Sequence, residues 1–267
     1  MPLAKANQIE LSYDRSGDGP PLLLIMGMSG TKHHWGEAVL EALRRDFEVI
    51  VYDHRDAGDS TRTEAPFTIV DLAEDAAGLL RALDIESAHV MGISMGGMIA
   101  QELALAHPES LSTLTLGCTY CGGGGSTLTS EQVLRRLAEG MSSGDRERAI
   151  RTAWEVNVSP SFAANDDLYA KFLQTGLRYG VAVPVIMQQM RAITGHNTSE
   201  RLASLKVPAL VVHGTLDQML SVQNGYLISE RIPGSRLEIL EEIGHMFFLE
   251  VPERTAELVC EHALVNA

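Results

Sequence analysis

Cysteine is scarce in this chain, and positive charge is in deficit. No long apolar run is present either. Three cysteines in 267 residues, Cys118, Cys121 and Cys260, fit a reducing compartment. Cys118-Thr119-Tyr120-Cys121 is a C-x-x-C, but no second pair exists to complete a zinc site. The pair also follows a strand late in the chain, where a thioredoxin-like motif does not sit, so it reads as structural and no metal is expected. No apolar stretch approaches the roughly 20 residues of a membrane span, and Met1 to Glu10 holds no run of signal-peptide length. The expectation is a soluble cytoplasmic protein with no membrane partner. The net charge of −14 argues against nucleic acid. The deficit is uneven: residues 122–202 carry 8 acidic and 9 basic side chains, against 27 and 12 elsewhere. An anionic substrate is therefore not excluded if the middle segment lines its entrance. Internal repeats are also absent.

One stretch, residues 87–106, organises the rest. Ala88 to Ile93 reads as a buried strand, and Met98, Ile99, Leu103 and Ala106 then fall on one face of a helix. Between them lies Gly92-Ile93-Ser94-Met95-Gly96. A tight strand-to-helix turn needs glycine where Cβ atoms would clash across it. Ser94 is then held at the tip, at a helix N-terminus whose free N–H groups favour developing negative charge. The same G-x-S-x-G pattern recurs at Gly140-Met141-Ser142-Ser143-Gly144. No strand leads into that copy, which reads as a glycine-bounded turn between helices.

Taken in order, Ile9, Leu11 and Tyr13 alternate with polar residues and suggest a strand at the sheet edge. Leu22 to Met26 is a continuous apolar run, as expected of a central parallel strand, and Phe47 to Tyr52 follows as another strand. Helical spacing marks residues 36–45 and 69–83, and Leu111 to Leu116 is a further strand. Gly122 to Gly125 then breaks the pattern, and from about Thr129 to Ser199 only helices and loops are visible. Candidates there are Val133 to Leu137, Arg146 to Val156, Asp167 to Leu177 and Val181 to Ile193. Strand–helix alternation resumes with strands at 209–213 and 236–240 and helices at 221–231 and 252–263. The expected fold class is α/β, with a mainly parallel sheet, helices on both faces and an inserted helical cap. Residues 1–121 and 203–267 form the core, and residues 122–202 the cap.

In such sheets the ligand site lies at the carboxyl ends of the strands. A serine needs a base to take its proton. His245 follows the last strand directly, and Asp217 follows the strand before it. Both therefore share an edge with Ser94, in the order serine, aspartate, histidine. Asp59 and Glu241 are alternative acids, but neither follows the correct strand at the right distance.

With the Ser94 elbow, the Gly214-Thr215-Leu216-Asp217 turn and the Gly244-His245 step, the chain resembles the α/β-hydrolase superfamily. The resemblance covers the core and weakens in the cap. Ile99-Ala100-Gln101-Glu102 and Asp53-His54-Arg55 look like its small bacterial carboxylesterase, enol-lactonase and methylesterase branch. That resemblance implies a serine hydrolase of a carboxylic ester or lactone, working through an acyl-enzyme on Ser94 with Asp217 and His245. The backbone N–H groups of Met28 and Met95 are expected to form the oxyanion hole. No cofactor is implied, and the serine nucleophile argues against carboxylate-based haloalkane or epoxide chemistry. There are two departures: Met26-Gly27 replaces a common His-Gly pair, and Asp56-Ala57-Gly58 replaces a glycine-rich turn.

The substrate is expected to be a small to medium, largely apolar molecule. Candidate contacts are Gly27, His34, Met187, Met190, Met219 and Met246, the methionines because flexible thioethers fit irregular apolar shapes. Core filling is the alternative reading for them. Asp53 and Arg55 read as loop braces, and His213, inside a strand, as buried rather than catalytic. Competing functions that keep the same triad are a C–C bond hydrolase and a cofactor-free perhydrolase. A hydrolase-fold receptor is the non-enzymatic alternative, and self-association into a homo-oligomer is left open.

Overall fold

The computed structural model describes residues 2–63 and 65–266. The strands are β1 (Leu3–Ala6), β2 (Ile9–Ser16), β3 (Pro21–Ile25), β4 (Glu48–Tyr52), β5 (Ala88–Ile93), β6 (Leu111–Gly117), β7 (Ala209–Gly214) and β8 (Arg236–Leu240). They form one sheet in the order β1-β2-β4-β3-β5-β6-β7-β8. β1 pairs antiparallel with β2, and β2 with β4, whereas every pairing from β4 to β8 is parallel. The edge strand is therefore β1, not the Ile9 strand as the alternation suggested. Leu-Ala-Lys-Ala is too short to display a pattern, and it pairs because the chain doubles back at Asn7, whose φ is 56°.

The central strands are apolar because both of their faces are covered. Leu22, Leu23, Leu24 and Ile25 of β3 are completely buried. Side chains alternate between faces. Leu23 and Ile25 therefore join the layer formed with α2 (Ile69–Ala82) and α3 (Met95–Ala106). Leu22 and Leu24 join the opposite layer with α1 (Glu37–Leu43) and α11 (Pro252–Val265). Each such leucine contributes about 1.5–3 kcal/mol of burial.

Between β6 and β7 the chain is wholly helical: α4 (Glu131–Ser142), α5 (Arg146–Asn157), α6 (Pro160–Ala163), α7 (Asp166–Tyr179) and α8 (Val183–Thr194). Local sequence sets their starts. Ser130, Asp145 and Asn165 cap α4, α5 and α7 with side-chain oxygens, and Pro184 occupies the first turn of α8. These helices share a small aromatic core in which Trp154, Val158 and Tyr169 pack with Phe162 and Phe172. Met246 and Leu249 from the main core complete it. The second G-x-S-x-G closes α4, where the Ser142 and Ser143 hydroxyls donate to the carbonyls of Ala138 and Gly140. That is the inter-helix turn expected from its context.

After β7 come α9 (Gln223–Arg231) and, beyond β8, the one-turn α10 (Phe247–Glu250), which the sequence pattern did not reveal. Among the described residues no helix is long and apolar enough to cross a membrane.

Candidate active site

The elbow is built as its glycines require. A Cβ on Gly92 would lie 2.2 Å from the Gly96 carbonyl oxygen, and one on Gly96 would lie 2.0 Å from that of Ile25. Ser94 between them takes φ 53° and ψ −121°, outside the usual range of an L-residue. Its neighbours over-determine that conformation. Ser94 N donates to Gly117 O at 3.0 Å, and Ser94 O accepts from Gly97, Met98 and the Thr119 hydroxyl. The Met95 amide, at the first position of α3, has no backbone acceptor among the described residues.

The loop after β3 faces this tip. A Cβ on Gly27 would sit 3.1 Å from that of Ser94, so the glycine lets the loop approach the serine directly. The Met28 amide likewise has no backbone acceptor among the described residues. Four side chains hold the loop. The buried His54 ring donates through Nε2 to Met26 O at 2.9 Å. The Asp53 carboxylate accepts the Lys32 amide at 2.8 Å. The side chain of Lys32 is itself fully buried and donates to Ser12 Oγ at 2.9 Å. From the helical segment, Gln189 of α8 accepts the Ser29 amide through Oε1 at 2.9 Å.

The Asp56-Ala57-Gly58 departure also has an explanation. Asp56 takes φ 66° and anchors its carboxylate on the amide and hydroxyl of Thr63. An aspartate can occupy this left-handed position when its side chain finds local partners. Gly58 must remain glycine, because a Cβ there would collide with the Asp53 carboxylate at 2.1 Å. Arg55 pairs with Asp75 through two bonds of 2.6 and 2.7 Å, so both Asp53 and Arg55 act as braces.

Asp217 and His245 meet at the carboxyl ends of β7 and β8. His245 Nδ1 lies 2.7 Å from Asp217 Oδ2. The carboxylate is an acceptor, so Nδ1 carries the proton and Nε2 is left as the basic nitrogen. The other oxygen, Oδ1, accepts the amides of Met219 and Leu220 at 2.8 Å each. His213 Nε2 also faces Oδ2, at 3.1 Å. Burial alone would raise the Asp217 pKa, but the charge of His245 and hydrogen bonding from both imidazoles hold it down to about 2. Burial works in the opposite sense on His245, and the Asp217 charge overcomes it to raise the imidazole well above its ordinary value. Asp59 and Glu241, the alternative acids, are exposed.

No hydrogen bond joins the Ser94 hydroxyl to His245 among the described residues. Cys118 lies beside this pair, buried at the end of β6 with φ 39°. Its thiol faces the His245 ring and the Ser94 backbone, and burial pushes its pKa up, so it is a neutral thiol at pH 7. Gly244 is glycine for packing. Its φ is unexceptional, and a Cβ there would lie 2.6 Å from the Val158 carbonyl carbon. The helical segment is seated on this backbone by two further links. Met246 N donates to Asn157 O at 2.7 Å, and Glu250 accepts both the Ser159 and Gly244 amides at 2.9 Å.

The expected substrate contacts fall in different places. Gly27 adjoins Ser94. His34 spends Nδ1 on the amide and hydroxyl of Thr31, and burial holds its pKa down to about 4, so it braces the 3-10 turn at Lys32–Trp35. Met187 and Met190 are 46% and 37% exposed, and it is Gln189 between them that is buried against the β3 loop. Met219 is half-buried in the Asp217 turn, and Met246 packs between the main core and the helical segment. His54, Lys32, Cys118, Gln189 and the contact of His213 with the acid were not foreseen. A histidine four residues before the acid, in an otherwise apolar strand, was the visible signal for the last of these.

Comparison with known proteins agrees with this fold. A family model described as the alpha/beta hydrolase fold matches residues 20–252. A protein of Azorhizobium caulinodans with the name "Putative carbamate hydrolase RutD" is 29% identical over 97% of this chain and 97% of its own. The pimeloyl-[acyl-carrier protein] methyl ester esterase of Aeromonas hydrophila is 28% identical over 95% of this chain and 99% of its own. The crystal structure of a hydrolase from Pseudomonas aeruginosa PA01 superposes with a TM-score of 0.83 at 28% identity, covering 97% of this chain and 96% of that one.

Proposed function

The chain belongs to the alpha/beta hydrolase fold family, and on that premise we propose that it is a serine hydrolase of a carboxylic ester or lactone. Two relatives carry the names methyl ester esterase and "Putative carbamate hydrolase", which supports hydrolysis at a carbonyl group as the reaction class. The single observation that carries the reading is the Asp217–His245 pair, 2.7 Å apart, on the same sheet edge as the Ser94 elbow.

In this reading His245 Nε2 takes the Ser94 proton as Oγ attacks the carbonyl carbon. The electron pair moves to the carbonyl oxygen, which accepts the amides of Met28 and Met95. His245 returns its proton to the departing alkoxide, giving the alcohol and an acyl-Ser94. Water, deprotonated by the same imidazole, releases the acid and restores Ser94. Asp217 keeps the His245 ring in the tautomer with Nε2 free. The missing Ser94–His245 bond forms as substrate closes the site. The helices of residues 122–202 act as the cap and set substrate size. Gln189 ties that cap to the loop that supplies Met28.

The test is hydrolysis of p-nitrophenyl esters of rising acyl length by wild type and Ser94→Ala, with fluorophosphonate labelling in parallel. Turnover that peaks at one chain length and disappears in the variant supports the reading. Labelling of Ser94 with only very slow product release would mean a receptor-like use of the fold. Neither label nor turnover overturns the nucleophile assignment.

A further inference from the structure

Asp217 is shared by two imidazoles. His245 reaches Oδ2 from the side of Ser94, and His213 reaches the same oxygen from inside the sheet, at 3.1 Å. His213 is completely buried at the end of β7. Its Nε2 also lies 2.7 Å from Leu220 O, and Leu220 N in turn donates to Asp217 Oδ1 at 2.8 Å. Carbonyl and carboxylate oxygens are both acceptors, so the ring proton is on Nε2. The opposite nitrogen, Nδ1, is buried with no partner among the described residues. It faces Gly225 of α9, where a Cβ would stand 3.1 Å from it. A glycine at this point lets the first turn of α9 lie flat on the ring and press it towards the acid.

Resting on the triad reading above, we propose that His213 is a positioning residue that moderates the hold of Asp217 on the His245 proton. His245 donates to Asp217 Oδ2, and the His213 N–H, directed at Leu220 O, passes within 3.1 Å of the same oxygen. Each places positive charge density there and so weakens the field that the other feels. A buried carboxylate faced by His245 alone would hold the imidazolium too firmly for a base that must be free near neutrality. His213 offsets part of that pull from a position where it cannot touch substrate. The other titratable or charged groups around the pair are few. Cys118, at the end of β6, faces His245 as a thiol, and Glu250 of α10 is bound to the Gly244 amide. On α9 the contact is Gly225, beside the uncharged and buried Asn224.

The experiment follows the rate of Ser94 labelling by a fluorophosphonate, and kcat/KM for p-nitrophenyl acetate, from pH 5 to 9. It uses wild type, His213→Leu and His213→Gln, with Tm measured for each. Labelling needs no knowledge of the natural substrate. In His213→Leu the acid limb of both profiles moves up by about half to one pH unit. The rate at pH 6 then falls about three- to tenfold, while the rate at pH 9 stays within about twofold. His213→Gln restores an N–H at the reach of Nε2 and returns the limb to the wild-type position. If the leucine variant does not fold, His213→Asn takes its place, because its shorter amide stops short of Asp217 and carries the same expectation. A limb that stays put or moves down in the variant lacking the N–H overturns the proposal, since loss of packing alone would loosen Asp217 and lower the limb. A glutamine variant no closer to wild type than leucine overturns it too. Wild type that fails to label refutes the Ser94 assignment instead, so the two failures are distinguishable.

Discussion

Asp217→Asn tests the acid–base pair most directly, because the surrounding bonds dictate how the amide must sit. Oδ1 accepts two backbone amides, from Met219 and Leu220, at 2.8 Å each. Only the oxygen of an asparagine can take that place, so its NH2 turns to the site of Oδ2, towards His245 and His213. His245 Nδ1 then meets a donor and must become the acceptor, which shifts the ring proton to Nε2. The imidazole would present N–H rather than a lone pair to Ser94, the wrong tautomer for a base. The lost charge adds to this. Two unit charges about 4 Å apart interact by about 4 kcal/mol at an effective dielectric of 20. At about 1.4 kcal/mol per decade, that is roughly a thousandfold in rate, and the tautomer change brings the expected loss in kcat to about 10³–10⁴. Without Asp217, burial is the dominant influence on His245, so the acid limb of the residual activity moves to lower pH. The assay is kcat and kcat/KM for p-nitrophenyl acetate against pH, with Tm measured alongside. A loss of less than about tenfold, or an acid limb that rises, would refute the assigned roles.

Other expectations concern the supports of the site. Burial holds the pKa values of His34 and His196 down to about 4, so below about pH 6.5 the unfolded chain takes up protons that the folded chain still refuses. Stability from both is therefore full above about pH 6.5 and lost as pH falls towards 4, so Tm should drop by several degrees across that window. A Tm that is flat from pH 7 to 4.5 would refute it. Gly244→Ala drives a methyl into the Val158–Ser159 backbone and should cost about 1–3 kcal/mol, read by urea unfolding. A neutral result would mean that the helical segment yields freely. Gln189→Leu leaves the Ser29 amide without its acceptor. It should slow fluorophosphonate labelling of Ser94 by about tenfold through loss of order in the β3 loop. Labelling at the wild-type rate would show that the loop holds itself. Unlike Asp217→Asn, this variant should keep the acid limb in place.

What could be read from residue order alone was whatever leaves a local trace. The Ser94 elbow announced itself through an apolar run, two glycines and a helical face, and Gly92 and Gly96 are required for the reason the pattern suggested. The wholly helical stretch between β6 and β7 was visible because strand–helix alternation stops at the glycine run and resumes at Pro208. Asp217 and His245 could be placed because each follows an apolar strand directly, and parallel strands bring their ends to one edge. β1 and α10 escaped because four residues are too few to show a period.

The sequence by itself determined the layered α/β architecture, the position of the Ser94 elbow and the edge on which Asp217 and His245 stand. Periodicity and glycine placement record burial and backbone shape, and those follow from neighbours in the chain. Only the tertiary structure decided that His213 touches the acid rather than filling a core. It alone set Gln189, 160 positions from Ser29, on the β3 loop, and showed that Gly244 is glycine to admit Val158. Such contacts depend on how elements cross after folding. A single hydrogen bond between residues far apart along the chain leaves no period for a sequence to display.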